Sequence, residues 1–265
     1  FKQKKKEDIV KAFNKSIKNF LIADKKVGLT LSAGIDSNLI KIIMLKLKDK
    51  INSFTIGFKE NSYDEAKFVK NNKYNLNKKK FLDERDFIKT FIKIKKNIYF
   101  PFGDSSIVPT YELFNLVKKK TNVVLGGDGG DEVFFGYLSF KAFYVTCFIK
   151  KIFPNFILRV IKIPFRNIKI TTEYIGVKKK IKYFFKFLNK ELFMMNNYWI
   201  SNFDNKDVAQ YFKKKVYKSS FHIKKVKTLF NKNPNKMRFA QLFYIKYFLP
   251  MILMKVDYSS MLNSV

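Results

Sequence analysis

The residues best suited to chemistry lie in two short loops rich in small and acidic side chains. In the first, Ser32-Ala33-Gly34-Ile35-Asp36-Ser37, small residues would let the backbone wrap around an oxyanion, and the serine hydroxyls would donate hydrogen bonds to it. A helix that begins at this loop would direct its first amides and its positive dipole end at the same anion. The segment predicts a phosphate-binding loop, and an ordinary N-cap turn is the alternative.

Asp36, the acidic residue within this loop, indicates that a metal ion would accompany the phosphate. The carboxylate of Asp36 would repel a phosphate unless a divalent cation lay between them, so the loop predicts Mg²⁺ as well. The segment lacks the lysine of the GxxxxGK[ST] loop and the GxGxxG pattern of dinucleotide-binding turns. It therefore belongs to neither of these nucleotide-binding types.

The second loop, Gly126-Gly127-Asp128-Gly129-Gly130-Asp131-Glu132, directly follows an apolar segment. Four glycines and three acids then lie at the end of a strand, and open α/β sheets bind their ligands at the carboxyl ends of strands. Asp131 is a candidate second Mg²⁺ ligand beside Asp36, and Asp128 is a candidate carboxylate that reaches the reacting substrate. The alternative is a glycine-rich surface loop with solvated acids.

Alternating strand and helix patterns supply the scaffold for both loops. Short β-rich segments lie at 27–31, 51–58, 79–82 and 123–125, and helical spacing of apolar residues marks 7–23, 38–47, 64–72, 84–96 and 110–119. This alternation predicts a parallel sheet with helices on both faces. From about residue 138 the strand patterns fade, and long segments rich in Phe, Tyr and Lys predict a helical second half.

Composition limits the class of protein. Of the 265 residues 47% are hydrophobic, which is enough for a large core and excludes a disordered chain. The net charge of +33 favours binding to polyanions, but the excess is almost all lysine and a proteome-wide residue bias explains it as well. Cys147 and His222 are the only residues of their types, which excludes an internal disulfide and a metal site of several thiolates or imidazoles.

The chain is predicted to be cytoplasmic and incomplete. It contains no charge-free run of 18 apolar residues that would span a membrane, and its lysine-rich start lacks the apolar segment of a secretory signal. The first residue is Phe rather than Met, and the last residues carry no helix stop or polar tail. We therefore expect a fragment of a longer protein.

Five segments, in order, resemble the synthetase domain of the asparagine synthase (glutamine-hydrolysing) family, a member of the N-type ATP pyrophosphatase (PP-loop) group. The first contains the loop at 32–37, which corresponds to the family pattern SGGxDS. The segments are 30–37, 53–58, 101–111, 124–137 and 249–261, and the last is similar to LPxxxLxKxDxxSM. The resemblance covers essentially the whole chain.

The resemblance implies a set of site residues. ATP would contact Thr30, Leu31, Ser32, Ala33, Gly34, Ile35, Asp36, Ser37, Ile56, Gly126 and Gly127, with the loop at 32–37 on its pyrophosphate. Asp36 and Asp131 would hold Mg²⁺, and Asp128 would act in the formation of an acyl-adenylate.

Three residues depart from the family pattern. Ala33 replaces the first loop glycine, which is tolerable only if its φ angle is negative. Asp128 is often Glu in the family, and its shorter side chain reaches less far. Tyr258 stands where Arg is usual, so any contact made by that Arg is lost. A later family lysine, implicated in stabilising the transition state, would fall beyond Val265.

The resemblance also implies a fold and a domain organisation. The fold class is α/β, with a parallel five-stranded sheet flanked by helices (adenine nucleotide alpha hydrolase-like), followed by a mostly helical C-terminal half. Residues 1–137 would form the nucleotide-binding α/β part of the synthetase domain, and residues 138–265 would form its helical, incomplete remainder. The N-terminal glutaminase domain of the family is expected to be absent from this chain.

The implied reaction is the ATP-dependent amidation of aspartate to asparagine through a β-aspartyl-adenylate, with release of AMP and pyrophosphate. Ammonia would normally come from glutamine, through a glutaminase domain in missing sequence or through a partner. Relatives amidate other carboxylates on the same scaffold in polysaccharide or secondary metabolism, so the acceptor rests on analogy.

Two further functions stay open. A PP-loop pyrophosphatase that acts on tRNA would use the positive charge for phosphate contacts, although the GGDGGDE loop and the last segment belong to the amidating branch. A noncatalytic module could instead lie on anionic membranes through a segment such as 140–165. Helices of this kind more often form a core with their lysine stems pointing outward.

Overall fold

A computed structural model describes residues 6–62, 64–99, 102–165, 167–168, 176–201, 210 and 220–265. Pro101, which begins one of the five family-like segments, lies outside these residues. The chain forms two compact units, one of Phe1–Asp128 with Met251–Val265 and one of Gly129–Pro250. The functional division at residues 137 and 138 stays a prediction.

A parallel sheet forms the centre of the first unit. Its strands are β1 (Gly28–Thr30), β2 (Ile51–Phe58), β3 (Asn75–Leu82) and β4 (Val124–Leu125), in the order β3-β2-β1-β4. All three neighbouring pairs are parallel, and Leu29 lies opposite both Ser53 and Leu125. The α/β class is confirmed, but among the described residues the sheet has four strands and not five. The fifth strand is implied by the family resemblance alone, and the strand patterns at 27–31, 51–58, 79–82 and 123–125 account for the other four.

The described part of the first unit contains the helices α1 (Lys6–Phe20), α2 (Ile35–Leu47), α3 (Glu84–Lys95) and α4 (Ile107–Val117) around this sheet. The core includes Leu29, Leu31 and Met44, all nearly inaccessible to solvent. The helix predicted over 64–72 is wrong, because only a 3₁₀ turn forms at Ala66–Phe68. A carboxylate oxygen of Asp64 accepts the amide hydrogen of Ala66, and this local bond favours a turn over a helix.

The second unit is helical, as predicted for the second half of the chain. Its helices are α5 (Gly130–Phe134), α6 (Leu138–Ile152), α7 (Asn155–Ile161), α8 (Val177–Phe187), α9 (Met195–Ser201), α10 (Ser220–Asn231) and α11 (Lys236–Phe243). A π-helical turn, Tyr244–Phe248, joins α11 to α12 (Leu249–Met261), which ends in the first unit. The aromatic rings of Phe140, Phe143 and Phe239 lie in the core of this unit.

Two helical stretches in the described part of the chain are long and apolar enough to cross a membrane by length and composition. They are Gly130–Ile152 and Lys236–Met261, and only 22% of each apolar window is buried. Both contain lysines, so neither meets the stricter sequence criterion of a charge-free run. Length and composition alone are weak evidence for a membrane span, because core helices of soluble proteins meet the same test.

Candidate functional site

Both predicted loops begin at the point where the strand order of the sheet reverses. The chain runs from β1 outward to β2 and β3 on one side, and β4 then lies on the other side of β1. In open α/β sheets such a switch point leaves a crevice for ligands beyond the carboxyl ends of the strands. Residues 31–34 follow β1 and Gly126 follows β4, so the two loops flank this crevice.

Two serine side chains hold the first loop together. The hydroxyl oxygen of Ser32 accepts a hydrogen bond from the amide of Gly34 at 3.1 Å and lies 3.1 Å from the hydroxyl oxygen of Ser37. The Ser37 hydroxyl also lies 3.3 Å from the carbonyl oxygens of Ser32 and Gly34, which can accept its hydrogen. Ser37 is buried, whereas the segment 32–35 is exposed. The loop is therefore shaped by its own side chains and open to solvent on its outer side.

The side chain of Asn38, to which the sequence analysis assigned no role, ties the loop to α2. Its amide nitrogen donates to the carbonyl oxygens of Ser32 at 3.1 Å and Gly34 at 2.8 Å. Lys41 donates to the side-chain oxygen of Asn38 at 2.8 Å and fixes the orientation of that amide. The carbonyl oxygens of Ser32 and Gly34 are thus occupied, and the amides in the first turn of α2 are the groups suited to interact with an anion.

The conformation of the loop decides two questions left open by the sequence. The N-cap of α2 is Gly34, with φ −67° and ψ 155°, and no side chain caps the helix. An N-cap made by a Ser or Asp side chain is therefore not formed. Ala33 is not among the described residues with a positive φ angle, so the loss of the family glycine imposes no backbone strain.

The second loop packs against the first through glycine. A Cβ atom on Gly127 would lie 3.1 Å from the backbone nitrogen of Ser37 and 3.2 Å from the Cβ atom of Asp36. Both distances are shorter than ordinary contact, so a side chain at this position would push the two loops apart by a few tenths of an ångström, and glycine permits the close approach. The structure therefore brings Gly127 together with two residues of the first loop, as the chemistry proposed for the two motifs requires.

Gly126 lies beside the end of β1. A Cβ atom on Gly126 would lie 3.1 Å from the hydroxyl oxygen of Thr30 and 3.2 Å from a carboxylate oxygen of Asp128. The Thr30 hydroxyl donates to the carbonyl oxygen of Leu125 at 3.2 Å and so links β1 to β4 through a side chain. Asp128 itself is exposed. These residues line the crevice on the β4 side.

A buried threonine on β2 holds the beginning of the first loop. The Thr55 hydroxyl donates to the carbonyl oxygen of Leu31 at 2.6 Å, and the amide of Leu31 donates to the carbonyl oxygen of Phe54 at 2.8 Å. Asn77 on β3 donates to the Thr55 hydroxyl oxygen at 2.9 Å. Ile56, the next candidate on β2, is half-buried. The loop thus leaves the sheet from a fixed position, and Thr55 is a second supporting residue that the sequence pattern did not single out.

The remaining acids of the second loop belong to the second unit and have different surroundings. Glu132 is buried and accepts a hydrogen bond from the Tyr137 hydroxyl at 2.8 Å. Burial, together with the neighbouring Glu132, raises the pKa of Tyr137 well above its ordinary value. Asp131 is half-buried, and a Cβ atom on Gly136 would overlap its carboxylate. Glu132 is thus a structural partner of Tyr137, and Gly136 leaves space for Asp131.

Asp36 lies in the first unit and Asp131 in the second, and their shared Mg²⁺ site stays a prediction. No group of three or more His, Cys, Asp or Glu side chains that could hold a metal occurs among the residues that the structure describes. A cation bound through one or two carboxylates would therefore take its other ligands from phosphate and water, as Mg²⁺ usually does.

Lys255, Asp104 and Ser106 form a cluster at the N-terminus of α4. The ammonium nitrogen of Lys255 lies 3.0 Å from the Ser106 hydroxyl oxygen and 3.6 Å from a carboxylate oxygen of Asp104. Asp104 also accepts hydrogen bonds from the amide and the hydroxyl of Ser106. Because α4 leads into the amino end of β4, its own start lies at the same edge of the sheet as the crevice. The cluster joins α12 to this edge.

Comparisons with known proteins agree with this architecture. Residues 8–265 match the family model described as asparagine synthase. The chain is 32% identical, over 99% of its length, to "Putative asparagine synthetase (glutamine-hydrolyzing) 2" of Methanocaldococcus jannaschii, of which the match covers 50%. It is 28% identical, over 49% of its length, to "Asparagine synthetase (glutamine-hydrolyzing) 1" of Bacillus subtilis, of which the match covers 21%.

A third relative is "Putative asparagine synthetase (glutamine-hydrolyzing)" of Mycobacterium tuberculosis, which is 26% identical over 52% of the chain and is covered to 22%. The match thus covers half the length of the Methanocaldococcus protein and less than a quarter of the length of the other two. Because the family model extends over nearly all of the sequence, the chain belongs to the asparagine synthase family.

Proposed function

We propose that this chain catalyses the ATP-dependent amidation of a carboxylate, with aspartate as the substrate and asparagine as the product. Family membership supports the reaction class. One contact carries the proposal at the level of residues: the close approach of Gly127 to Asp36 and Ser37, which joins the glycine-rich loop to the start of α2. This is the arrangement that a nucleotide bound across the switch point of the sheet would need.

The proposed ATP site uses backbone groups more than side chains. The pyrophosphate portion would lie on the loop at 32–37, where α2 begins and where the carbonyl oxygens of Ser32 and Gly34 are bound to Ser37 and Asn38. Thr30, Ile56, Gly126 and Gly127 would contact the adenosine, mainly through their main chains. Glycine at 126 and 127 keeps the crevice clear of side chains.

Asp36 and Asp131 are the proposed holders of Mg²⁺. Asp36 is half-buried in the first turn of α2, and its carboxylate provides the oxygen ligand that this ion prefers. The ion would neutralise negative charge between the substrate carboxylate and the triphosphate. Assignment of Asp131 to the same ion rests on the family resemblance.

The proposed chemistry has two steps. An oxygen of the β-carboxylate attacks the α-phosphorus of ATP, the bond to pyrophosphate breaks, and an acyl-adenylate forms. Amides in the first turn of α2 would stabilise the charge on the departing pyrophosphate. Ammonia then attacks the acyl carbon, loses a proton and displaces AMP. Asp128, exposed beside Gly126, is the proposed catalytic carboxylate of the first step.

The source of ammonia belongs to the same proposal. The relatives' names describe them as glutamine-hydrolyzing, and the chain covers half of the Methanocaldococcus protein or less of the others. We propose that a glutaminase domain in a longer form of this protein, or a separate partner, supplies ammonia. We also propose a cytoplasmic location, where ATP and aspartate are both present.

The test supplies ammonium directly, so that no glutaminase is needed. The chain is incubated with ATP, Mg²⁺, aspartate and ammonium, and pyrophosphate and asparagine are measured. The variant Asp36→Ala should lower pyrophosphate release by about a hundredfold or more, as expected for loss of an electrostatic contact to the reacting phosphates. Asp49→Ala, beyond the other end of α2, is the control and should keep full activity.

Three results would change the proposal. Equal activity of Asp36→Ala and wild type would contradict the Mg²⁺ assignment. Pyrophosphate release with another carboxylate, but not with aspartate, would replace the substrate and keep the reaction class. Release only in the presence of tRNA would move the chain to the tRNA-modifying branch of the PP-loop group.

Asp128→Asn should abolish adenylation while ATP binding, measured by calorimetry, is retained.

A further inference from the structure

Helix α6 has two apolar faces, and only one of them is packed. Phe140 and Phe143 point into the aromatic core of the second unit and are almost completely buried. On the opposite side, by the 3.6-residue helical period, lie four exposed apolar residues: Leu138, Val145, Phe148 and Ile152. Water is a poor environment for such a row, and in the described part of the unit these four side chains stay exposed on this face of the helix.

The next helix repeats the pattern. In α7, Leu158 is buried, whereas Phe156 and Val160 are exposed and lie one turn apart on the other side. Only two residues separate the end of α6 from the start of α7. We call the six exposed residues, Leu138, Val145, Phe148, Ile152, Phe156 and Val160, the apolar ridge.

All the charged residues in the sequence around the apolar ridge are cationic. Residues 133–172 contain seven Lys or Arg and no Asp or Glu. Two of the cations, Lys141 and Arg159, are exposed and fall on the same helical faces as the ridge. An apolar row with cations beside it is the pattern of helices that lie on anionic bilayers.

We propose that the apolar ridge binds an anionic lipid surface, with its apolar side chains in the interface and Lys141 and Arg159 against the headgroups. This inference is independent of the proposed function. The helices lie on the bilayer and do not span it, because the opposite face of α6 belongs to the protein core. The long apolar stretch that includes α6 is thereby explained by surface binding.

Charge and chemistry separate lipid from other partners. A second copy of the chain would bring Lys141 and Arg159 of one apolar ridge close to the same cations of the other, which like-charge repulsion disfavours. A nucleic acid would neutralise the cations but would leave the aliphatic and aromatic side chains without an apolar partner. An anionic bilayer supplies both the negative charge and the hydrocarbon that this surface needs.

The test is co-sedimentation of the full 265-residue chain with vesicles of phosphatidylcholine alone or of phosphatidylcholine with phosphatidylglycerol. The wild type should sediment with the anionic vesicles only, and added salt should weaken its binding. The double variant Phe148→Ser, Phe156→Ser should lower partition by about tenfold or more, since two exposed aromatic rings are removed from the interface. Circular dichroism checks that both proteins are folded.

Phe68→Ser is the matched control, because Phe68 and Phe156 are each 67% exposed and Phe68 lies in the first unit. The control should bind vesicles like the wild type. Equal binding by the double variant and the control would overturn the proposal, as would equal binding to the two vesicle types. A wild type that is dimeric by light scattering, becomes monomeric in the double variant and ignores vesicles would show instead that the ridge joins two copies of the chain.

Discussion

The contact between the two loops can be tested by adding a single methyl group at Gly127. Its Cβ atom would lie 3.1 Å from the backbone nitrogen of Ser37, about 0.3 Å inside the 3.4 Å at which ordinary contact begins. Gly127 has no positive φ angle, so the methyl group acts through space alone and not through backbone strain. The first turn of α2 must therefore shift by a few tenths of an ångström, or the second loop must withdraw.

The size of the effect follows from what the methyl group would touch. Ser37 is the third residue of α2, and its amide is one of those that have no partner within the helix. Loss of one preorganised donor to a developing oxyanion costs about 10²–10³-fold in rate. We expect Gly127→Ala to lower pyrophosphate release by about 10²-fold, while overpacking lowers the free energy of unfolding by only about 1–3 kcal/mol.

Two other glycines provide controls for this experiment. Gly103→Ala adds the same methyl group where no atom lies within 4 Å, so its activity and stability should match the wild type. Gly126→Ala meets the Thr30 hydroxyl, which is bonded to Leu125, and the end of the Asp128 side chain, which can rotate away, so it should fall between the other two. Pyrophosphate release and ATP binding by calorimetry are measured for all three. Activity of Gly127→Ala within about twofold of Gly103→Ala would refute the role of this contact, since the expected loss is far larger.

Two further predictions concern stability. Glu112 is buried and accepts hydrogen bonds from Lys80 and Thr90, so Glu112→Gln should lower the free energy of unfolding in urea by about 2 kcal/mol, whereas the exposed Glu60→Gln should change little. Burial raises the pKa of Tyr244 to about 12, so this residue contributes stability that is complete below pH 10, the ordinary pKa, and is lost as the pH rises through 12. A shift of two pKa units corresponds to about 3 kcal/mol. Between pH 9 and 12 the free energy of unfolding in urea should therefore fall by about that much less in Tyr244→Phe than in the wild type. Parallel pH curves for the two proteins would contradict this prediction.

Local sequence patterns were sufficient for the parts of the fold that depend on neighbouring residues. The sequence predicts the second strand with its observed bounds, 51–58, because β-branched and aromatic residues are enriched in this short segment. The helix over 84–96 ends one residue early, at Lys95, and begins with a capping box between Asp83 and Asp86. The turn at 66–68 was mistaken for a helix because a side-chain bond from Asp64 competes with helical pairing.

The features that depend on distant residues could not be predicted in the same way. The order β3-β2-β1-β4 places β4 beside β1. Thr30 and Leu125, which share a hydrogen bond between these strands, are 95 positions apart in the sequence. No local pattern encodes such pairing. Asn38 and Thr55 support the first loop through its carbonyl oxygens, and an amide or hydroxyl in a helix or strand carries no distinctive signal. The family resemblance supplied one strand too many because it describes related chains and not this one.

In the first loop the side chains hold the backbone in shape, and the backbone amides are the groups that would bind an anion. Its serine and asparagine side chains are engaged with the carbonyl oxygens and hydroxyls of the loop itself, so they shape it and are not free to bind a ligand without breaking those bonds. The groups left to meet an anion are backbone amides, whose positions do not depend on which small residue occupies the outer part of the loop. Alanine at position 33 fits because its φ angle is not positive, whereas a side chain at position 127 would crowd the amide of Ser37, and glycine avoids this crowding.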